Sequence, residues 1–119
     1  MAEGFTIGRL GEFETNGRWQ LVRRGLGVDS FGLNVVEIEQ GYSIPEHDET
    51  ERDQEEVFIV LEGTPSLVVD GREIEAPAGT FARLDPRLSR TVVNHSEVPA
   101  SVLIVSAPRS SGYVPLDWA

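Results

Sequence analysis

The sequence contains no cysteine, so neither a disulfide nor a thiolate metal site is open to it. Histidine is nearly as scarce. His47 and His95 are the only two, which excludes a site of three imidazoles within one chain. Basic residues are half as numerous as acidic ones, 10 against 20 in 119 residues, for a net charge of −10. A field of that sign repels polyanions, so no nucleic acid and no anionic membrane surface is expected as a partner. No apolar run approaches the roughly 20 residues that cross a bilayer. The stretch Met1 to Leu10 lacks the basic start and apolar run of a signal peptide, and a cytoplasmic protein is the expectation. Helical periodicity is missing too: no window keeps apolar residues at three-four spacing over several turns. Gly25-Leu26-Gly27 has no further glycine and no strand–helix context, so it is not a phosphate loop, and nothing resembles a nucleophilic serine elbow.

What remains is a chain of short β-rich runs separated by Gly, Pro, Asp and Asn. The runs are Trp19–Arg23, Phe31–Glu39, Val57–Leu61, Ser66–Val69, Arg72–Glu75, Thr80–Leu84, Arg90–Asn94 and Ser101–Ser106. Asp70-Gly71 lies between two of them and reads as a two-residue hairpin turn, because glycine tolerates a positive φ. Glu62-Gly63 and Pro77-Ala78-Gly79 close neighbouring corners. Val57 to Leu61 is apolar at every position, which predicts burial on both faces, one by the barrel interior and one by a further layer or another subunit. The acidic cluster Glu46 to Glu56 reads as a solvated loop. Hydrophobic residues at 39% and the 119-residue length suit one domain with its own core. Strands this short and regular predict an all-β sandwich or barrel.

Two stretches carry more specific information. The first runs Gly41, His47, Glu49, Glu56, Gly63, and the second Gly71, Pro77, Gly79, then Asp85-Pro86, Arg90 and Asn94. Together they resemble the two motifs of the cupin family, Gly-x5-His-x-His-x3/4-Glu-x6-Gly and Gly-x5-Pro-x-Gly-x2-His-x3-Asn. The resemblance covers about residues 30–106. It implies a small single-domain cupin of the conserved-barrel type: a double-stranded β-helix, or jelly-roll, barrel over residues 1–119, with an N-terminal strand arm over 1–29 and a C-terminal tail over 107–119. It also implies a homodimer, in which the segment Phe5 to Phe13 is expected to lie across the partner's sheet.

In cupins the two histidines and the glutamate of the first motif, with the histidine of the second, face the interior and hold a divalent metal. Here the motif is degraded. His47 fills the first slot and Glu56 the carboxylate slot, while Glu49 and Arg90 stand where two further histidines belong. His95 cannot substitute: if Arg90, Val92 and Asn94 point inward along a strand, His95 points outward. Arginine stays charged and does not ligate metals. Beside Glu56 and Glu49 it supplies the positive charge that an ion supplies elsewhere, and a buried carboxylate needs such a partner.

Three readings follow. In the first the protein is a metal-independent small-molecule-binding cupin, with His47, Glu49, Glu56, Arg90 and Asn94 contacting a polar or anionic ligand. Guanidinium is suited to an anion because it binds one bidentately. No cofactor is then expected, and His47 and Glu56 are the candidate catalytic pair for proton transfer. In the second the protein is a metal-dependent cupin enzyme, a dioxygenase or isomerase, holding manganese, iron, zinc or nickel on His47, Glu49 and Glu56. In the third the barrel is a non-catalytic sensor or scaffold whose interior is simply salt-bridged.

Overall fold

The computed structural model describes residues 4–119. Its strands are β1 (Thr15–Asn16), β2 (Trp19–Gln20), β3 (Gly32–Ile38), β4 (Gln54–Glu62), β5 (Ser66–Val69), β6 (Arg72–Glu75), β7 (Phe81–Leu84), β8 (Arg90–Val93) and β9 (Ala100–Pro108), with one five-residue helix, α1 (Val22–Leu26). They form two antiparallel sheets. One has six strands in the order β1-β2-β3-β9-β4-β7 and the other three in the order β6-β5-β8. The segment before the acidic loop joins the smaller sheet through bridges of Ser43 to Val93 and His47 to Arg90. The two sheets face each other across one core, the all-β jelly-roll expected from the sequence. None of the described helices is long and apolar enough to cross a membrane.

Local chemistry explains the corners. Asp70 and Gly71 have φ of 48° and 80°, the positive pair of a type I′ turn, so β5 and β6 form the anticipated two-residue hairpin. Its outer edge is tied down where the Asp70 amide donates to the Ser89 carbonyl and the Ser89 amide to the Asp70 carboxylate, both at 2.9 Å. Gly63 turns the chain after β4 at a φ of 82°, and a Cβ there would lie 2.7 Å from the Pro99 carbonyl oxygen.

Strand register sorts side chains by face, since directly paired residues share one. Val36, Val102 and Val60 lie in one inward row, and Asn34, Ile104, Phe58 and Ala82 in the next. A third inward row, Gly32, Ser106, Glu56 and Leu84, sits at the end of the barrel that carries the chemistry. Phe58, Val60, Leu67, Leu84, Val92 and Val102 are buried between the sheets.

Three segments add to or change the picture drawn from the sequence. The strand foreseen over Trp19–Arg23 ends at Gln20, and Val22 begins α1 instead. Gly27 adopts the left-handed conformation at the helix C-terminus and donates to the Arg23 and Arg24 carbonyls, which closes this single turn. Val22 is thereby buried beside β3, where α1 packs. The short strand β1 was not signalled by any apolar alternation; Thr15 and Asn16 are exposed and pair only with β2. Within the chain Val57–Leu61 is fully buried on one face: Phe58 and Val60 point inward, whereas Val57 and Ile59 are half-buried and Leu61 is exposed, so a cover for the second face is left to another subunit.

Candidate functional site

The site forms where the third inward row meets the segment leading into the acidic loop. Glu56 is inward by register, opposite Ser106 and Leu84. His47 is placed by a reciprocal backbone pair: its amide donates to the Arg90 carbonyl at 3.1 Å, and the Arg90 amide to the His47 carbonyl at 2.8 Å. Residues paired in this way share a face, so both side chains enter the barrel. Glu49 lies on the loop. Its amide donates to the Pro86 carbonyl at 2.8 Å, and the Asp48 carboxylate accepts from the Thr50 amide at 3.0 Å, which folds the extra residues back over the opening. The longer spacing between Glu49 and Glu56 is therefore taken up by a turn, and Glu49 reaches the cluster.

Three acceptors converge there. His47 Nε2 lies 3.2 Å from Glu49 Oε2 and 3.9 Å from Glu56 Oε1. One ligating atom from each of the three residues lies within 4.8 Å of the others. His47 Nδ1 is 2.9 Å from the Pro45 carbonyl oxygen. A carbonyl only accepts, so Nδ1 carries the proton, and in the neutral ring the lone pair of Nε2 is turned towards the carboxylates.

Below them Arg90 is completely buried, with Nε 3.5 Å from Glu56 Oε1. Its Nη1 donates to the Leu88 carbonyl at 2.7 Å and its Nη2 to the Asp85 carbonyl at 3.4 Å. The Asp85 carboxylate in turn accepts from the Arg87 amide, which shapes the turn offering those carbonyls and holds the Asp85 carboxyl below the usual range. Glu56 Oε1 and Arg90 Nε face each other without a hydrogen bond between them or to any other group. Burial pushes the Glu56 carboxyl above its ordinary range and the Glu49 charge adds to that, while Arg90, His47 and Arg52 oppose it.

A cavity of about 350 Å³ opens above the cluster. Trp19, Ile44, Pro45 and Ile104 form its apolar wall, and Asn34, Ser106, His47, Glu49 and Glu56 its polar side. Gly32 lies opposite Ser106, where a Cβ would run into the serine hydroxyl. A second recess, which shares Asn34, Glu49, Glu56 and Ser106, continues outward to Arg23 and Arg52.

His47, Glu49 and Glu56 are thus brought together, whereas Arg90 and Asn94, expected at the ligand, are sealed from the cavity. Arg90 lies beneath Glu56 with no exposed surface, so the anion clamp expected of it lacks a reachable guanidinium. Asn94 is equally buried and fully engaged: Nδ2 donates to the Ile38 and Val98 carbonyls at 2.8 and 2.9 Å, and Oδ1 accepts from the Ser96 amide at 3.0 Å. It straps the turn after β8 to the end of β3 and to the segment leading into β9. His95 points outward and pairs with Glu73 on the surface, as alternation along β8 requires. Sequence reasoning missed Trp19, Asn34 and Ser106. The signal for the last two was a polar residue in an inward slot of an otherwise apolar strand.

The residues present suit a divalent ion in kind. Ligands about 2.1 Å from a common tetrahedral centre lie about 3.4 Å apart. The His47–Glu49 separation of 3.2 Å matches, and the 3.9 Å to Glu56 needs a small closure.

Comparison with known proteins agrees with this architecture. No curated protein matches the chain. Among solved structures, a cupin protein from Bacteroides fragilis superposes with a TM-score of 0.79 at 18% identity, covering 96% of this chain and 92% of that one. A sugar phosphate isomerase from a cupin superfamily, from Silicibacter pomeroyi, gives a TM-score of 0.68 at 25% identity, covering 87% and 69%. A predicted oxalate decarboxylase from Thermotoga maritima gives 0.60 at 18% identity, covering 65% of each chain. The sequence profile named Cupin domain matches residues 34–106, more than half of the chain, and the protein belongs to the cupin family.

Proposed function

We propose that this cupin binds a small molecule in the cavity above His47, Glu49 and Glu56, and that it does so without a metal. The observation that carries the reading is the buried Arg90 guanidinium, 3.5 Å from Glu56 Oε1. The positive charge that a cation would bring to these carboxylates is already supplied from below. A dication placed among the three acceptors meets that fixed charge where water is scarce and screening weak. His47 and Glu49 then serve as polar anchors at the floor, and the apolar wall buries the body of the ligand. Any proton transfer to or from the ligand falls to His47 and Glu56.

A second reading is favoured by one observation, the convergence of His47, Glu49 and Glu56 within 4.8 Å. In it these three residues hold manganese, iron, zinc or nickel, and the ion supplies Lewis acidity to a ligand donor. Elemental analysis of dialysed, tag-free protein separates the two. The expected result is an empty parent and an Arg90→His, Glu49→His double variant that gains metal. About one ion per chain in the parent, lost on His47→Ala, overturns the metal-independent reading.

A further inference from the structure

With the His47 ring neutral, each of the three side chains at the cavity floor offers an acceptor. His47 gives its Nδ1 proton to the Pro45 carbonyl, so the neutral ring turns a lone pair to the cavity. Glu49 Oε2 lies 3.2 Å from that nitrogen and Glu56 Oε1 3.9 Å. The Glu56 side chain is more than nine-tenths buried, with 9% exposed, and its Oε1 has no hydrogen-bond partner. A buried acceptor of this kind needs a donor. Arg90 Nε, the nearest one, is 3.5 Å away and equally unpartnered.

From this we infer that the ligand is a small organic primary amine, bound as its ammonium beside His47 Nε2, Glu49 Oε2 and the Glu56 carboxylate, with its carbon body against Trp19, Ile44 and Ile104. The inference rests on the small-molecule reading above. Donor inventory selects the head group. A hydroxyl offers one proton to three acceptors, a carboxylate none and a net repulsion, and an ammonium three. Charge selects it as well. Glu49 and Glu56 bring two carboxylates against the single fixed positive charge of Arg90, a balance that a monocation completes and a dication overshoots. The wall selects the rest of the molecule. Trp19 and the aliphatic side chains of Ile44 and Ile104 line the same cavity. They give an alkyl or aryl group apolar surface to bury, and the indole face attracts a cation held near it. A hydrated metal ion makes no use of such a wall. The net charge of −10 favours the approach of a cation over that of an anion.

The test uses three molecules of one shape and different charge: benzylamine, benzyl alcohol and benzoate. Each is titrated into the full chain in the presence of EDTA, with the Trp19 indole N–H and the His47 ring followed by NMR. Benzylamine is expected to shift both signals and to bind at least tenfold more tightly than benzyl alcohol. That preference should fall several-fold in Glu49→Gln, and further in Glu56→Gln if the variant stays folded. Benzyl alcohol or benzoate binding as well as benzylamine at the same signals overturns the ammonium inference and leaves the small-molecule reading standing. Benzylamine that shifts surface resonances but neither Trp19 nor His47 overturns it too. If instead zinc added without EDTA occupies His47 at stoichiometry and none of the three molecules does, the inference fails together with the metal-independent reading.

Discussion

Replacing Arg90 by methionine keeps a long apolar stem in the core and removes the charge. Its side chain has no exposed surface, and the Glu56 side chain beside it is 9% exposed, so solvent screens neither. Removing one partner of a buried ion pair typically costs about 3–5 kcal/mol, because the other charge is left without compensation. Here the Leu88 carbonyl also loses its 2.7 Å donor, a loss of the same sign. At pH 8 we expect Arg90→Met to lose about 3–5 kcal/mol in urea unfolding followed by tryptophan fluorescence. The loss should depend on pH. Burial and Glu49 already raise the Glu56 carboxyl above its ordinary 4.5, and removing Arg90 takes away one of the charges that hold it down. A carboxyl with a raised folded-state pKa favours folding when protonated and loses that advantage as pH rises through the raised value. The Arg90→Met deficit is therefore smallest in acid and grows as Glu56 ionises. Adding Glu56→Leu should recover at least about 2 kcal/mol at pH 8, since a hydrophobic pair in place of a buried ion pair is often neutral or stabilising. A loss below about 1 kcal/mol, or an equal loss at pH 5 and pH 8, would refute the claim that Arg90 is the counter-charge of Glu56.

Two further predictions are simpler. Gly63→Ala should cost at least about 1–2 kcal/mol in the same assay, because alanine resists the left-handed region and its Cβ would press on the Pro99 carbonyl; an unchanged midpoint contradicts that steric account. Light scattering at micromolar concentration should give the mass of two chains. The chain exposes 7839 Å², against about 6,400 Å² for a folded monomer of this mass. Phe5, Ile7 and Leu10 of the segment expected to cross the partner's sheet are exposed, although Phe13 turns back onto Gly8 and Gly25 of its own chain. The mass of one chain would reject the dimer.

Much of the fold was legible because its signals are local. Asp70-Gly71 fixes a turn type, and alternation along Arg90–Asn94 fixes which residues enter the barrel. The face of Val57–Leu61 was not legible, since an apolar residue at every position carries no period. The short helix at Val22 was hidden because one turn of chain has no periodicity to read, and only Gly27 after it marked the end. At the site, His47 and Glu56 were legible from spacing. Glu49 was reached because backbone bonds to Pro86 reshape the loop, which no spacing rule contains. The depth of Arg90 was invisible for a different reason. Strand alternation says that a side chain points inward but not how far its tip travels, and here the carbonyls of Asp85 and Leu88 draw the guanidinium under the carboxylate and away from the cavity.

The position of β9 bears on how the chain is made. β9 lies between β3 and β4 and is hydrogen-bonded to both, yet it follows every other strand in the sequence. Until it has been synthesised, the two longest preceding strands have no edge to share, and the row carrying Gly32, Ser106 and Glu56 cannot assemble. The small sheet and its hairpin can form during translation, but the larger sheet closes only once Pro108 is free of the ribosome. During that interval the β-branched face of β3 and the apolar run of β4 are open to other chains. A truncation before Ala100 would therefore yield two unpaired strand edges rather than a smaller barrel, and should behave as an aggregating polypeptide.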